Sequence, residues 1–79
     1  MKRVRKVEAR SGHKLYVEFE DGACGVVDLS DRLFGPMFEP LADPELFQQV
    51  TIDEFGAVSW PNGADLAPDA LRRALAIEA

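Results

Sequence analysis

The stretch KLYVEFE, residues 14 to 20, alternates without a break: Leu15, Val17 and Phe19 fall on one side, Tyr16, Glu18 and Glu20 on the other. Period two is the signature of a strand with one dry and one wet face, because successive side chains leave a pleated backbone in opposite directions. Asp21-Gly22 follows at once, and then ACGVVDL. Asp-Gly is a preferred pair for a two-residue hairpin turn, whose central positions need left-handed backbone angles. Such a turn sets a register in which Phe19 faces Cys24 and Val17 faces Val26, with Cys24 among the core side chains.

Two more pairings extend the sheet. VTID and AVSW flank Glu54-Phe55-Gly56, a three-residue loop with glycine at the position that forms a bulge. It pairs Ile52 with Val58 and Val50 with Trp60, so both pairs share a face. The leading VRKVEA reads as a strand antiparallel to residues 14 to 20 across Ser11-Gly12-His13, with Val7 facing Val17 on the core side and Lys6 facing Glu18 outside. Val4 is then out of phase, which calls for a bulge or a frayed end.

Between the hairpins, Gly35, Pro36, Pro40 and Pro44 break any sustained period. Ser30 is placed to cap a single turn, and Asp43-Pro44 reads as an N-cap followed by proline at the first helical position, opening a short helix over 44 to 49. Leu33, Phe34, Phe38, Leu41, Leu46 and Phe47 are expected to cover the apolar face of the sheet. PDALRRALAIE places Leu71, Ala74 and Leu75 at helical spacing behind Pro68, with Arg72 and Arg73 on the polar side. The expected fold is α+β: a small antiparallel sheet made of an N-terminal three-strand meander and a second hairpin, covered by short helices and a C-terminal helix. Residues 1 to 79 form a single domain, small enough that most large apolar residues are needed for its core.

Charge is laid out unevenly. Residues 1 to 14 carry six Lys or Arg and one Glu, whereas the rest holds three Arg and thirteen Asp or Glu, for a net charge of −5. The basic set Lys2, Arg3, Arg5, Lys6 and Arg10 is of the kind that contacts phosphates. The acidic remainder opposes that use, and internal ion pairing explains the same residues. A single cysteine forms no internal disulfide, which fits a reducing compartment. With no long apolar run and no signal-peptide pattern in MKRVRKVEARSG, a cytoplasmic location is expected.

The residue types that carry catalysis are sparse. The one histidine, His13, falls in a hairpin loop and is read as a solvent-exposed loop residue. Cys24 is read as apolar filler, and Glu18, Glu20 and Asp21 as a solvated face. No zinc-binding, calcium-binding or phosphate-loop pattern is present. No catalytic, cofactor-binding or metal-ligating residue is therefore assigned, and an enzyme is not expected.

Val4 and Val7, Leu15-x-Val17-x-Phe19-x-Asp21-Gly22, Val27-Asp28-Leu29-Ser30, Leu41-x-Asp43-Pro44-x-x-Phe47 and, above all, Trp60-Pro61-Asn62-Gly63-Ala64-Asp65-Leu66-x-Pro68 together resemble the bacterial domain-of-unknown-function family twenty-four forty-two. The resemblance spans nearly the whole chain. It implies a small α+β domain without established catalytic residues. It also implies an arrangement suggestive of toxin and antitoxin pairs, since relatives are often encoded beside another small protein. The reading that follows is a non-catalytic interaction module, antitoxin-like, with a protein partner; a symmetric homodimer stays open. The alternative is a nucleic-acid-binding regulator using the basic N-terminal strand, and no membrane partner is expected. Candidate interaction residues are Lys2, Arg3, Arg5, Lys6, Trp60, Asn62 and Asp65. The Trp60–Asp65 run reads first as a junction: Trp60 anchors the core, Pro61 stops the strand, Asn62-Gly63 turns, and Asp65 caps the last helix.

Overall fold

The computed structural model describes residues 3–78, with side chains described as far as Leu75. Strands β1 (Val4–Arg10), β2 (Lys14–Phe19) and β3 (Cys24–Asp28) form an antiparallel meander. Then come a one-turn helix α1 (Gly35–Phe38), a 3-10 turn (Glu39–Ala42) and a second one-turn helix α2 (Pro44–Phe47). Short strands β4 (Thr51–Ile52), β5 (Val58–Ser59) and β6 (Asp65–Leu66) make a second antiparallel sheet, and helix α3 (Pro68–Glu78) follows. The architecture is α+β, with two three-stranded sheets where the pattern promised one meander plus a hairpin.

The β1–β2 register is the expected one: Val7 stands opposite Val17 and Lys6 opposite Glu18, and the ladder shifts between Val4 and Lys6. That bulge adds one residue to β1 and turns Val4 inward, where it is buried. Its N–H donates to the Gly56 carbonyl (3.0 Å), stitching the edge of the first sheet to the loop between β4 and β5. The second hairpin also keeps its expected register, with Ile52 opposite Val58 and Gly56 left-handed at φ +79°.

The β2–β3 hairpin differs. Its loop is three residues, Glu20-Asp21-Gly22, closed by Phe19 N–H to Ala23 O (2.8 Å) and Gly22 N–H to Phe19 O (3.0 Å). The Asp21 carboxylate accepts the Ala23 N–H, which fixes the loop from within. Glu18 therefore faces Cys24 and Val17 faces Gly25, one residue away from the two-residue-turn register. Since side chains alternate, the slip exchanges the faces of β3: Val27 goes into the core while Cys24 and Val26 face solvent. Cys24 is an exposed thiol, not core filler.

The buried cluster gathers Leu15, Val17 and Phe19 from β2, Val27 and Leu29 from β3 and its exit, Leu41 and Phe47 from the connection, Val58 and Trp60 from the second hairpin, and Leu71 and Ala74 from α3. It lies on one face of the first sheet under the second sheet and the helices. Helix α3 comes down on β3 at Gly25, where a Cβ would stand 2.9 Å from Leu75 Cδ2, so the absent side chain is what admits the helix. Arg72 on the same helix pairs with Asp21 (3.3 Å) and lies over the Phe19 ring.

Helix α2 starts as expected, with the Asp43 carboxylate accepting the Glu45 N–H (3.0 Å), but its helical residues end at Phe47. Ser30 caps no helix; its N–H donates to the Asp28 carboxylate in a turn. Of the six apolar residues expected to cover the sheet, Leu41 and Phe47 are buried and Leu33, Phe38 and Leu46 pack against the core, whereas Phe34 is 71% exposed. Among the described residues no helix is long and apolar enough to cross a membrane.

Candidate interaction surface

Trp60 and Ala64 bracket a third loop of the same design as Glu20-Asp21-Gly22. Trp60 N–H donates to Ala64 O (2.9 Å), Gly63 N–H donates to Trp60 O (3.0 Å), and the Asn62 side-chain oxygen accepts the Ala64 N–H (3.2 Å). The sequences EDGA and PNGA thus build one turn twice, with Asp21 and Asn62 in the same role. The turn carries the chain into β6, where Asp65 stands opposite Ser59. This corrects the capping role expected of Asp65. It is an exposed strand residue, and α3 opens at Pro68, with Ala67 O accepting from Ala70 and Leu71 and Asp69 supplying the acid of the first turn. A pattern of turn residues followed by an acid and a helix fits both designs, and here the backbone bonds of the hairpin win.

Trp60 has the anchoring place expected of it. It is 4% exposed, its indole N–H donates to Phe47 O (3.0 Å), and its ring meets Phe38 edge-on at 6.4 Å and Phe47 at 5.9 Å. Asn62 reaches in the other direction, its amide donating to Met37 O (2.9 Å). One side chain therefore ties the PNGA turn to α1, and Trp60 ties the same turn to α2 and the core.

The α1 turn held by Asn62 ends at Phe38, which with Leu29, Arg32, Leu33, Phe34 and Leu66 lines an apolar groove of about 320 Å³. Phe34 in this lining is 71% exposed, and Met37, three residues along, is 42% exposed. Asp31, Glu39 and Asp65, each adjacent in sequence to a lining residue, are exposed. None of the ion pairs among the described residues uses Arg32. The groove is thus an apolar surface whose lining carries one charge, the Arg32 guanidinium. Phe34, Met37 and Leu66 were not singled out as interaction residues from sequence. The available signal was Phe34-Gly35-Pro36, a large apolar residue held off the core by a left-handed glycine (φ +86°) and a proline.

The basic candidates occupy a different place. Arg5 pairs with Glu18 (2.9 Å) and Lys6 with Glu8 (3.3 Å), while the Arg3 guanidinium donates to Glu54 O. Arg10 pairs with Glu8 (3.5 Å) and lies over the Tyr16 ring at 5.0 Å. Lys2 lies outside the described residues. No hydrogen bond or ion pair joins this set to Trp60, Asn62 or Asp65 among the described residues. On the same outer face the Tyr16 hydroxyl donates to Glu18 (2.7 Å), and that bond, with burial and the Cys24 thiol beside it, pushes the phenol up to about 12. Glu18 is held below its ordinary range by Tyr16 and then Arg5, and Asp28 below its own by Ser30.

His13 is half-buried, not a solvated loop residue as expected. Its Nε2 is 2.8 Å from Ala42 O and its ring meets Phe47 edge-on at 5.2 Å, clamping the β1–β2 turn onto the 3-10 turn and α2. His13, Phe47, Trp60 and Phe38 form a line of touching rings from that turn to the floor of the groove.

A family model described as "Protein of unknown function (DUF2442)" matches residues 4–76. No curated protein and no solved structure matches the chain.

Proposed function

The chain belongs to the DUF2442 family, and on that premise we propose that it is a non-catalytic interaction domain whose Phe34 groove receives a protein partner, in the manner of an antitoxin. The observation that carries the reading is the groove itself: an apolar lining, the Phe34 ring left 71% exposed in it, and an α1 turn fixed by the Asn62–Met37 bond and the Phe38–Trp60 ring contact. Ordering such a surface in advance lowers the entropic cost of binding. The net charge of −5 favours a basic partner that brings an apolar anchor to the groove. The paired Lys and Arg of β1 leave nucleic acid a poor fit, and the engagement of His13 with Ala42 and Phe47 supports a structural place for the only imidazole.

The test is affinity purification from the native host with the wild type and with Phe34→Asp, alongside co-expression with the neighbouring gene product. A stoichiometric, basic companion retained by the wild type and lost with Phe34→Asp supports the reading. The same companion held equally by both chains removes the groove from it. Recovery of the wild type alone, with no effect on the neighbour's toxicity, defeats the interaction role.

A further inference from the structure

The two edges of the first sheet are built differently. Phe19 N–H to Ala23 O at one end and Leu29 N–H to His13 O at the other bracket the β2–β3 ladder. Bonded and non-bonded pairs alternate in an antiparallel ladder. Both ends agree on the phase: Gly25 and Val27 bond to β2, while the N–H and C=O groups of Cys24, Val26 and Asp28 point away from it. No hydrogen bond to those outward backbone groups is found among the described residues.

Edge strands are normally guarded by charges, prolines or bulges, since an open row of donors and acceptors templates pairing with another chain. The far edge follows this rule. Strand β1 carries Arg5, Lys6, Glu8 and Arg10, is bulged between Val4 and Lys6, and is tied down by Val4 N–H to Gly56 O. Strand β3 reads CGVVD, with no lysine, proline or bulge, and its one charge is at the end. Val26 stands on the outer face, 39% exposed, while among the described side chains α3 meets Gly25 through Leu75 on the inner face.

We propose that the β3 edge pairs antiparallel with the β3 edge of a second copy, across a two-fold axis at Val26. The occupant is argued from self-complementarity. Centring on Val26 places Val26 opposite its own copy and Cys24 opposite Asp28 of the second chain, so all three outward residues fall at bonded positions. No like charges meet, and a β-branched pair forms on the outer face. A segment of another protein has no such match specified by this edge. The first sheet then runs β1-β2-β3 into β3-β2-β1 of the copy, and the unguarded edge is abolished. This surface is distinct from the Phe34 groove, and its test does not depend on the partner.

Sedimentation equilibrium over a dilution series decides it. The wild type moves from 8.7 kDa toward twice that mass as concentration rises. Val26→Lys sets two ammonium groups opposite each other and stays monomeric with an unchanged circular dichroism spectrum, whereas Val26→Thr dimerises. A second measurement covers a Val26→Lys chain that fails to fold: Cys24→Ser combined with Val26→Cys, oxidised under mild conditions, is captured as a disulfide-linked dimer because the new thiol meets its own copy. A wild type at 8.7 kDa at every concentration overturns the proposal. So does a folded Val26→Lys chain that dimerises as the wild type does, or a double variant that stays monomeric on oxidation.

Discussion

The Tyr16 hydroxyl donates to the Glu18 carboxylate across 2.7 Å, two residues along one face of β2, and Arg5 closes on the same carboxylate from β1 at 2.9 Å. Proton, anion and cation are thereby lined up on an exposed sheet face. Each group stabilises the protonation state of the next.

Because Tyr16 is the only tyrosine, its ionisation can be followed by ultraviolet absorbance alone. The phenolate should appear with a midpoint of about 12 in the folded chain. Glu18→Ala removes the largest cause and brings the midpoint down toward the ordinary 10.0. An unchanged titration in the variant would show that the Tyr16–Glu18 bond is not what holds the proton.

The acid limb of stability follows from Glu18 and Asp28, whose folded values lie below their ordinary 4.5 and 3.8. A depressed acid binds fewer protons folded than unfolded, so its contribution is complete above the ordinary value and is lost as pH falls through the folded one. Tyr16 has the opposite sign, contributing below pH 10.0 and losing it toward about 12. Thermal melts should fall on the acid side of the carboxylate range. The Glu18→Gln, Asp28→Asn double variant should show a shallower decline there.

Gly56 is under two constraints at once: φ is +79°, and an added Cβ would lie 2.6 Å from Arg3 Cβ. Left-handed backbone alone costs an L-residue roughly 1–2 kcal/mol. Gly56→Ala should therefore lose at least about that much stability in urea denaturation. It should also loosen the Val4–Gly56 bond between the sheets, visible as faster amide exchange at Val4. A cost within a few tenths of that for Gly22→Ala, whose Cβ would meet nothing within 4 Å, would mean the close approach to Arg3 carries no energy.

What the sequence made legible divides along physical lines. Registers set by strand alternation on both sides, Val7 with Val17 and Ile52 with Val58, were readable because a slip would expose a whole apolar row. The β2–β3 register was misread through its turn, since Asp-Gly serves a two-residue loop and the last two places of a three-residue loop equally well. The information was present: the two-residue register puts Asp28 opposite Leu15 on the core face, whereas the observed one puts Val27 there. Asp65 failed for a similar reason, because hairpin and helix cap share their local chemistry and only long-range pairing with Ser59 separates them. The groove was out of reach, as it depends on where Phe34, Phe38 and Leu66 converge from separate elements.

The corrected register makes Cys24 reactive in the native state. With its side chain on the outer face beside Glu18 and Tyr16, the thiol should be titrated by a disulfide reagent without denaturant, to one equivalent per chain. Buried cysteines wait for unfolding. A modification rate that rises with urea in step with the unfolding transition would restore Cys24 to the core and the register with it.

Asn62 offers the sharpest separation of structure from function. Its amide holds Met37 O at 2.9 Å and its oxygen holds Ala64 N–H at 3.2 Å, so Asn62→Ala releases α1 from the PNGA turn while leaving the core untouched. Each net hydrogen bond is worth about 0.5–1.5 kcal/mol, and exposed ones fall toward the low end. Asn62→Asp keeps the oxygen that accepts from Ala64 but removes the amide donated to Met37. Both variants should melt cooperatively with modest losses, Asn62→Asp the smaller. If the groove is the binding surface, both should weaken the partner more than they weaken the fold, because the frame around Phe34 and Phe38 is no longer preset. Partner affinity that tracks stability alone, or that drops only for Asn62→Ala, would place the Met37 bond outside the recognition of the partner.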